Sequence, residues 1–417
     1  MQTGWRVGTL FNIPLFIDNS WFLIVFLLTL LYGNDPAIIE QMGSSGGALG
    51  FGFAYAIALF GSVLLHELGH SLVAQSQGIT VKSIKLFLFG GIASIERESK
   101  TPEGAFAVAI AGPAVSLLLF ALLFTIIQTV SLSGGLALIL RDVARINLVL
   151  ALFNLIPGLP LDGGQIFKAA VWKVTNSRST GVRWAAKAGQ VVGWSGIGLG
   201  LFLSLNMGLF AGIWPALIGM FILRNAGAYN RMNTLQEVLS KVKTGEAAIR
   251  DFRVLDADMS LRQFADEYLL NDQSLQQLSD DAKPKARNIA PVYYASSNGR
   301  YRGLISVDSL REVERSEWEH RDLHSIAKPL LEIPYVREET PLAEAIQLME
   351  EKELARLTVL TPADSVAGTV DRGDVVRTLA KHLKFPINDA LIQRIKEEGA
   401  YPMGLQLGAI AQSIEKA

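Results

Sequence analysis

The chain has 417 residues, of which 50% are hydrophobic and 18% charged, and its mean hydropathy is +0.31. Soluble domains carry about 25% charged residues, so this composition excludes a purely soluble enzyme, and it also excludes collagen, a coiled coil and a disordered chain. The formal net charge of −1 gives no sign of the strongly basic balance that is typical of nucleic-acid binding. The lack of Cys excludes disulfides and thiolate metal sites.

The charges divide the chain into an apolar and a polar half. Residues 1–231 contain 14 Lys/Arg and 9 Asp/Glu, whereas residues 232–417 contain 24 and 30. A lipid-embedded half followed by a soluble half accounts for this division. We expect a transmembrane domain over 1–230, a linker over 231–250, a soluble α+β part over 251–384 and a C-terminal tail over 385–417.

Six apolar stretches of the first half are candidates for membrane-spanning helices. They cover about 17–32, 48–74, 103–130, 136–156, 188–205 and 208–223. The connections over 33–47, 131–135 and 206–207 contain no Lys or Arg, whereas the alternate connections do, and the positive-inside rule assigns the latter to the cytosol. We expect a polytopic α-helical membrane protein with six spans, in contact with lipid, whose termini and polar half are cytosolic.

Two segments of this half have strand patterns. Trp5–Ile17 alternates and contains Pro14, which indicates an extended or hairpin lead-in. Val81–Ile95 contains two β-rich runs joined at Gly90 and Gly91, which predicts a small hairpin at the membrane edge. Its free edge can accept a substrate strand, and a plain surface hairpin is the alternative.

A metal-binding pattern lies at the end of the second apolar stretch, in the sequence LLHELGHSL. His66 and His70 are four residues apart, so on a helix they share one face and can bind one Zn²⁺. Glu67 lies beside them, where it can take a proton from a bound water. A chance pattern or a polar contact inside the bundle is the alternative, but ionisable groups in a span are usually functional.

A break in the fourth stretch supplies a third ligand. Pro157 and Pro160 interrupt the helix, and Asp162 follows as the only carboxylate of this segment. Asp162 completes a His₂Asp set with an open fourth position, and a cap on the next helix is its alternative role. Asn154, two turns earlier, can donate a hydrogen bond to a developing oxyanion or hold the substrate backbone, or it can make an inter-helix contact.

Residues 5–225 resemble the site-2 protease family of intramembrane zinc metalloproteases. The resemblance is carried by His66-Glu67-Leu68-Gly69-His70, Phe89-Gly90-Gly91, Ala111-Gly112-Pro113, Asn154-Leu-Ile-Pro157 and Leu161-Asp162-Gly163-Gly164. It implies that His66, His70 and Asp162 bind zinc, that Glu67 is the general base, and that the active site faces the cytosol. It also implies that the substrate is a membrane-anchored regulatory protein. Gly112 and Pro113 are assigned to bending or close packing of a spanning helix.

The polar half contains a weak internal repeat of the form strand, helix, strand, strand, helix. Val254–Leu269 resembles Val336–Met349, and the first copy carries about 16 extra residues that fit the polar stretch Asn271–Arg287. Residues 248–383 resemble a pair of CBS domains, which implies an adenine-nucleotide site and a homodimer. Ser306 and Asp374 match the nucleotide-binding pattern, but Ser309 and Asp371 replace its other members, so a dimerisation or gating role without ligand is the alternative.

These observations favour an intramembrane zinc endopeptidase that cleaves transmembrane proteins under the control of a cytosolic CBS module. The rival interpretations are a CBS-regulated membrane transporter and a zinc-binding scaffold without catalysis. Glu67 favours the protease, because a transport site does not need a base beside the metal.

Overall fold

The computed structural model describes residues 4–88, 90–131, 134–269, 291–402 and 404–415. Phe89 of the Phe89-Gly90-Gly91 pattern and the stretch Asn271–Arg287 lie outside these residues. The chain divides into two compact units, with the division between Asn233 and Thr234. Each unit is described by itself.

The first unit contains a four-stranded sheet in the order β1-β2-β3-β4. Its strands are β1 Trp5–Leu10, β2 Ile13–Ile17, β3 Val81–Phe87 and β4 Gly90–Ile95. The pairs β1–β2 and β3–β4 are antiparallel, and β2–β3 is parallel. The two strands expected over 81–95 are therefore half of a larger sheet, and the lead-in supplies the other half. The sheet buries Ile13 and Ile84 against Leu68 of a long helix, and β4 forms one edge.

Among the residues that the structure describes, eight helices begin in this unit. They are α1 Asn19–Gly33, α2 Pro36–Met42, α3 Ser45–Ser76, α4 Pro102–Thr129, α5 Gly134–Asn154, α6 Asp162–Thr175, α7 Arg178–Met207 and α8 Leu209–Lys241. Side chains cap several of them: Ser44 accepts from the Gly47 N–H at the start of α3, and Thr101 accepts from the Gly104 N–H at the start of α4.

Among the described residues, four helices are long and apolar enough to cross a membrane, namely α3, α4, α7 and α8. The count is five if α1 and α2, which meet at 75°, form one broken span. The 21-residue α5 contains three charged residues, Arg141, Asp142 and Arg145, and is not one of these helices. An integral membrane domain agrees with this count, whereas the six-span arrangement stays a prediction.

The predicted break in the fourth apolar stretch lies between the end of α5 at Asn154 and the start of α6 at Asp162. Leu159 in this segment is fully buried, and its N–H donates to the Ala185 carbonyl of α7 at 3.1 Å. The non-helical backbone is thus bonded to a neighbouring helix, as non-helical backbone inside a membrane protein has to be.

The second unit contains two copies of one small fold. The first copy contains β5 Phe252–Asp256, α10 Leu261–Phe264, β6 Val292–Ser297, β7 Arg300–Ile305 and α11 Val307–Arg311. The second contains β8 Tyr335–Arg337, α12 Leu342–Glu351, β9 Arg356–Leu360, β10 Val366–Asp371 and α13 Arg372–Leu383. In each copy the first strand pairs in parallel with the second, and the third is antiparallel to it. This is the repeat that the sequence pattern predicts.

The segments expected as a linker and a tail contribute to the core of the second unit. Helix α8 continues to Lys241, the short helix α9 Thr244–Ala247 follows, and Leu239 and Val242 are buried. After α13, helices α14 Asp389–Glu398 and α15 Leu407–Glu415 add four more buried side chains, those of Ile392, Ile395, Leu407 and Ala411. The boundaries 231–250 and 385–417 therefore mark parts of a packed unit, because their apolar residues recur at helical spacing.

Candidate active site

The structure brings together the three side chains expected to bind metal. His66 and His70 lie one turn apart on α3, and Asp162 is the first residue of α6. Asp162 Oδ2 lies 3.1 Å from His66 Nε2 and 3.3 Å from His70 Nε2, and the two Nε2 atoms are 3.3 Å apart. Both imidazoles are buried, so three ligand atoms converge on one point inside the unit.

Helix α4 orients both imidazoles through their other nitrogens. His66 Nδ1 lies 2.9 Å from the hydroxyl of the fully buried Ser116, and His70 Nδ1 lies 2.7 Å from the Val108 carbonyl. A carbonyl only accepts, so His70 carries its proton on Nδ1 and presents the Nε2 lone pair to the site. Ser116 and Val108 carry no signal in the sequence that marks them for this role.

A glycine of α4 leaves the space that a bound ion needs. A Cβ atom at Gly112 would lie 2.2 Å from His70 Nε2 and 2.6 Å from His66 Nε2, so any side chain there would cover the ligand atoms. Gly112 thus does more than allow the helix to bend or pack, which is the role expected from the sequence. Two imidazoles and one carboxylate around a space kept open by glycine fit zinc, which prefers nitrogen and oxygen ligands in catalytic sites.

Glu67 lies between these ligands and the edge strand of the sheet. Its Oε2 accepts a hydrogen bond from the Ala93 N–H of β4 at 3.1 Å. A Cβ atom at Gly91 would lie 2.6 Å from Glu67 Cγ, so β4 passes the glutamate at close range. The Leu86 carbonyl accepts from the Asp18 N–H on the β2 side of β3, so Leu86 and, two residues away, Ile84 direct their backbone polar groups towards β2. Ala93 is opposite Ile84, so its N–H lies on the side of β4 that faces away from β3.

Asn154 also reaches the site. It is the last residue of α5, and its Nδ2 lies 3.3 Å from His66 Nε2. Two turns earlier on the same helix, the fully buried Asn147 donates from Nδ2 to the Ser62 hydroxyl of α3 at 2.9 Å. This second contact, which the sequence does not predict, holds α5 against α3 one turn before His66.

The two residues proposed for nucleotide binding lie at equivalent helix starts in the two copies of the second unit. The Ser306 hydroxyl accepts from the Asp308 N–H at 3.2 Å and caps α11. Asp374 lies in the first turn of α13, and its carboxylate is already paired inside the unit. Lys396 Nζ of α14 lies 2.8 Å from Asp374 Oδ1 and 3.0 Å from Asp371 Oδ2. Only 2% of Asp374 is exposed, so its carboxylate is not free for a ribose in this arrangement.

Comparison with known proteins identifies both halves of the chain. The family model for peptidase family M50 matches residues 54–136 and 129–195, and the model for the CBS domain matches residues 325–381. The chain is 38% identical to "Putative zinc metalloprotease sll0528" of Synechocystis sp., over 91% of this chain and 96% of that protein. It is 31% identical to "Putative zinc metalloprotease Rip3" of Mycobacterium tuberculosis, over 86% of this chain and 87% of that protein.

Among solved structures, the site-2 protease from Methanocaldococcus jannaschii matches with 28% identity and a TM-score of 0.40, over 55% of this chain and 95% of that chain. The identity to sll0528 extends over nearly the whole of both proteins. The chain therefore belongs to the peptidase M50 (site-2 protease) family and is a membrane metalloendopeptidase that also carries a CBS domain.

Proposed function

We propose that this metalloendopeptidase cleaves membrane-anchored regulatory proteins within the membrane, with zinc held by His66, His70 and Asp162. The convergence of the three ligand atoms and the open space at Gly112 support this assignment. Zinc bound there supplies a Lewis acid that polarises a carbonyl and lowers the pKa of a water molecule.

The protein's own residues supply the proton transfers and the orientation. The Glu67 carboxylate accepts the proton of the attacking water and passes it to the leaving amine. The Asn154 Nδ2 group, beside His66, donates a hydrogen bond to the oxyanion that develops on the scissile carbonyl. Ser116 and Val108 keep the imidazoles from rotating while this happens.

The contact between Glu67 and the Ala93 N–H carries the proposal for how substrate binds. Because this N–H lies on the free side of β4, a peptide that adds to that edge as a strand passes directly beside Glu67. A transmembrane helix hides its backbone in its own hydrogen bonds, so it must unwind before it can be cleaved. Backbone groups at the edge of β4 supply hydrogen bonds in place of those that the substrate helix loses when it unwinds.

The second unit is proposed to regulate cleavage from the cytosol, where both termini lie. Its CBS domains are a candidate homodimer interface and a candidate adenine-nucleotide site at Ser306 and Asp374. The ion pairs of Lys396 with Asp371 and Asp374 argue that nucleotide binds weakly, because a ligand would have to displace them.

Reconstitution tests this function directly. We would place the protein in liposomes with single-span test proteins whose spans contain a central Gly-Pro pair, and with matched proteins whose spans are uninterrupted Leu helices. We expect cleavage near the Gly-Pro pair, blocked by a zinc chelator, and little cleavage of the Leu helices. Cleavage that resists the chelator, or that occurs only in soluble segments, would contradict the proposal.

A further inference from the structure

An ion cluster outside the metal-binding triad joins three segments of the first unit. Glu98 Oε2 lies 2.9 Å from Lys168 Nζ and 2.9 Å from an Arg178 guanidinium nitrogen, and Arg178 Nε donates to the same oxygen at 3.1 Å. The Lys168 side chain is only 4% exposed, whereas Glu98 and Arg178 are 43% and 30% exposed. A buried cation thus reaches a carboxylate at the surface.

Stability does not account for a lysine at this position. Burying an ammonium group is unfavourable, and replacing a whole buried ion pair by apolar side chains of similar volume often leaves a protein equally stable or more stable. Burial lowers the pKa of Lys168, although Glu98 opposes the shift. A Cβ atom at Gly181 would lie 3.3 Å from Lys168 Cγ, so α7 packs directly on the lysine stem and an apolar stem would fill the same space. The charge itself therefore requires another explanation.

Each member of the cluster lies on a segment that is connected to a residue of the active site. Glu98 is five residues after Ala93, whose N–H donates to Glu67. Lys168 lies on α6, the helix that begins with Asp162. Arg178 begins α7, which accepts the N–H of Leu159 in the segment just before Asp162. The cluster therefore connects the edge strand beside the general base to the helix that supplies the third metal ligand.

We propose that Lys168 is a positioning residue for peptide-bond hydrolysis, which holds Glu98 and thereby fixes β4 relative to Asp162. A scissile bond docked on β4 has to lie beside Glu67 and beside the metal ligands at once. A misplacement of about 1 Å at such a site can lower the rate by about 10²-fold. The kinetic part of this inference rests on the substrate docking proposed above.

The test replaces the charge and keeps the stem, in Lys168→Met. The full-length variant is compared with wild type in zinc content, Tm, amide hydrogen exchange over residues 90–98, and cleavage of casein, an unfolded polypeptide, in detergent. We expect equal zinc content. We expect a Tm close to that of wild type, because Glu98 is 43% exposed and keeps its bonds to Arg178. We expect amide exchange in β4 to be at least about tenfold faster. We expect kcat for casein to fall by at least about tenfold, with a smaller change in KM.

Two other variants make the result specific. Lys173→Met removes a charge from the same helix, where Lys173 is 66% exposed and pairs with Glu103, and it should match wild type in every measurement. Glu67→Gln should be inactive. If it is inactive while Lys168→Met matches wild type in exchange and kcat, the positioning role is wrong and the proposed function stands. Faster exchange in β4 with unchanged kcat would also overturn the positioning role. An active Glu67→Gln would overturn both proposals.

Discussion

Gly112 is the residue whose replacement should affect the metal site most selectively. In Gly112→Ala the new methyl group would overlap both Nε2 atoms, at 2.2 and 2.6 Å, so we expect zinc content to fall from about one ion per chain to near zero. Gly61→Ala is the control, because a Cβ atom there meets nothing within 4 Å and α3 is otherwise unchanged. Elemental analysis of both purified variants measures the effect. Full zinc content in Gly112→Ala would show that the zinc is not bound in the space beside Gly112.

A second residue, Asp374, should make the stability of the protein depend on pH. Burial, and then the neighbouring Asp371 carboxylate, raise the pKa of Asp374 from 3.8 to about 6, although Lys396 opposes the shift. The folded state thus holds this proton more tightly than the unfolded state. The resulting contribution to the free energy of unfolding is complete below pH 3.8 and is lost as the pH rises through about 6.

Asp374→Asn cannot ionise, so its stability relative to wild type should increase between about pH 4 and pH 7.5, by at most about 3 kcal/mol. Thermal unfolding of the full chain at several pH values measures this difference. Asp364→Asn is the control, because Asp364 is an exposed turn residue with a φ of 57°, where Asn is well tolerated. A constant difference in Tm between Asp374→Asn and wild type would contradict the assignment.

At the scale of elements, local patterns predict the helix that carries His66 and His70 and the break before Asp162. Contacts between distant segments are what the sequence does not predict. The parallel pairing of β2 with β3 joins Leu15–Ile17 to Ile84–Leu86, and neither segment specifies the other as a partner. The roles of Ser116 and Gly112 depend on the rotation of α4 against α3. That rotation follows from close packing, since a Cβ atom at Gly69 would lie 2.9 Å from the Ala111 carbonyl oxygen.

The edge strand β4 yields a prediction of its own. Ala93→Pro removes the N–H that donates to Glu67, and proline is tolerated at an edge where that N–H faces away from the sheet. We expect zinc to stay bound and kcat/KM to fall by at least about tenfold, the size of one lost hydrogen bond to a charged group. Ala93→Ser keeps the N–H and should remain active. Equal activity of the two variants in a casein-cleavage assay would show that this contact does not contribute.

At the scale of the whole molecule, the two units should be separable for metal binding. All the candidate ligands and the residues that orient them lie before Asn233, so truncation there should leave zinc content unchanged. We expect the truncated protein to cleave casein in detergent at a rate within about threefold of the full chain. We expect its cleavage of single-span proteins in liposomes to change, because a regulatory unit must bias open and closed states unequally. Unaltered cleavage in liposomes would show that the second unit does not regulate cleavage and only stabilises the protein.

The division of the chain into an apolar and a polar half is visible in its charges, but the exact boundaries are not. The segment after Arg231 is polar overall and suggests a linker, yet Leu235, Leu239 and Val242 recur at helical spacing and pack into the second unit. Lys396 likewise has no sequence signal that pairs it with Asp371 and Asp374. Its role appears only when α14 is packed against α13.

The most direct test of the central claim is the activity of Glu67→Gln at matched zinc content. The substitution keeps the shape of the side chain and leaves His66, His70 and Asp162 in place, but it removes the group that accepts the proton of the attacking water. We predict that the variant binds as much zinc as wild type and cleaves a single-span test protein at least about 10²-fold more slowly. Cleavage at the wild-type rate by a fully zinc-loaded Glu67→Gln would contradict the assignment of Glu67 as the general base.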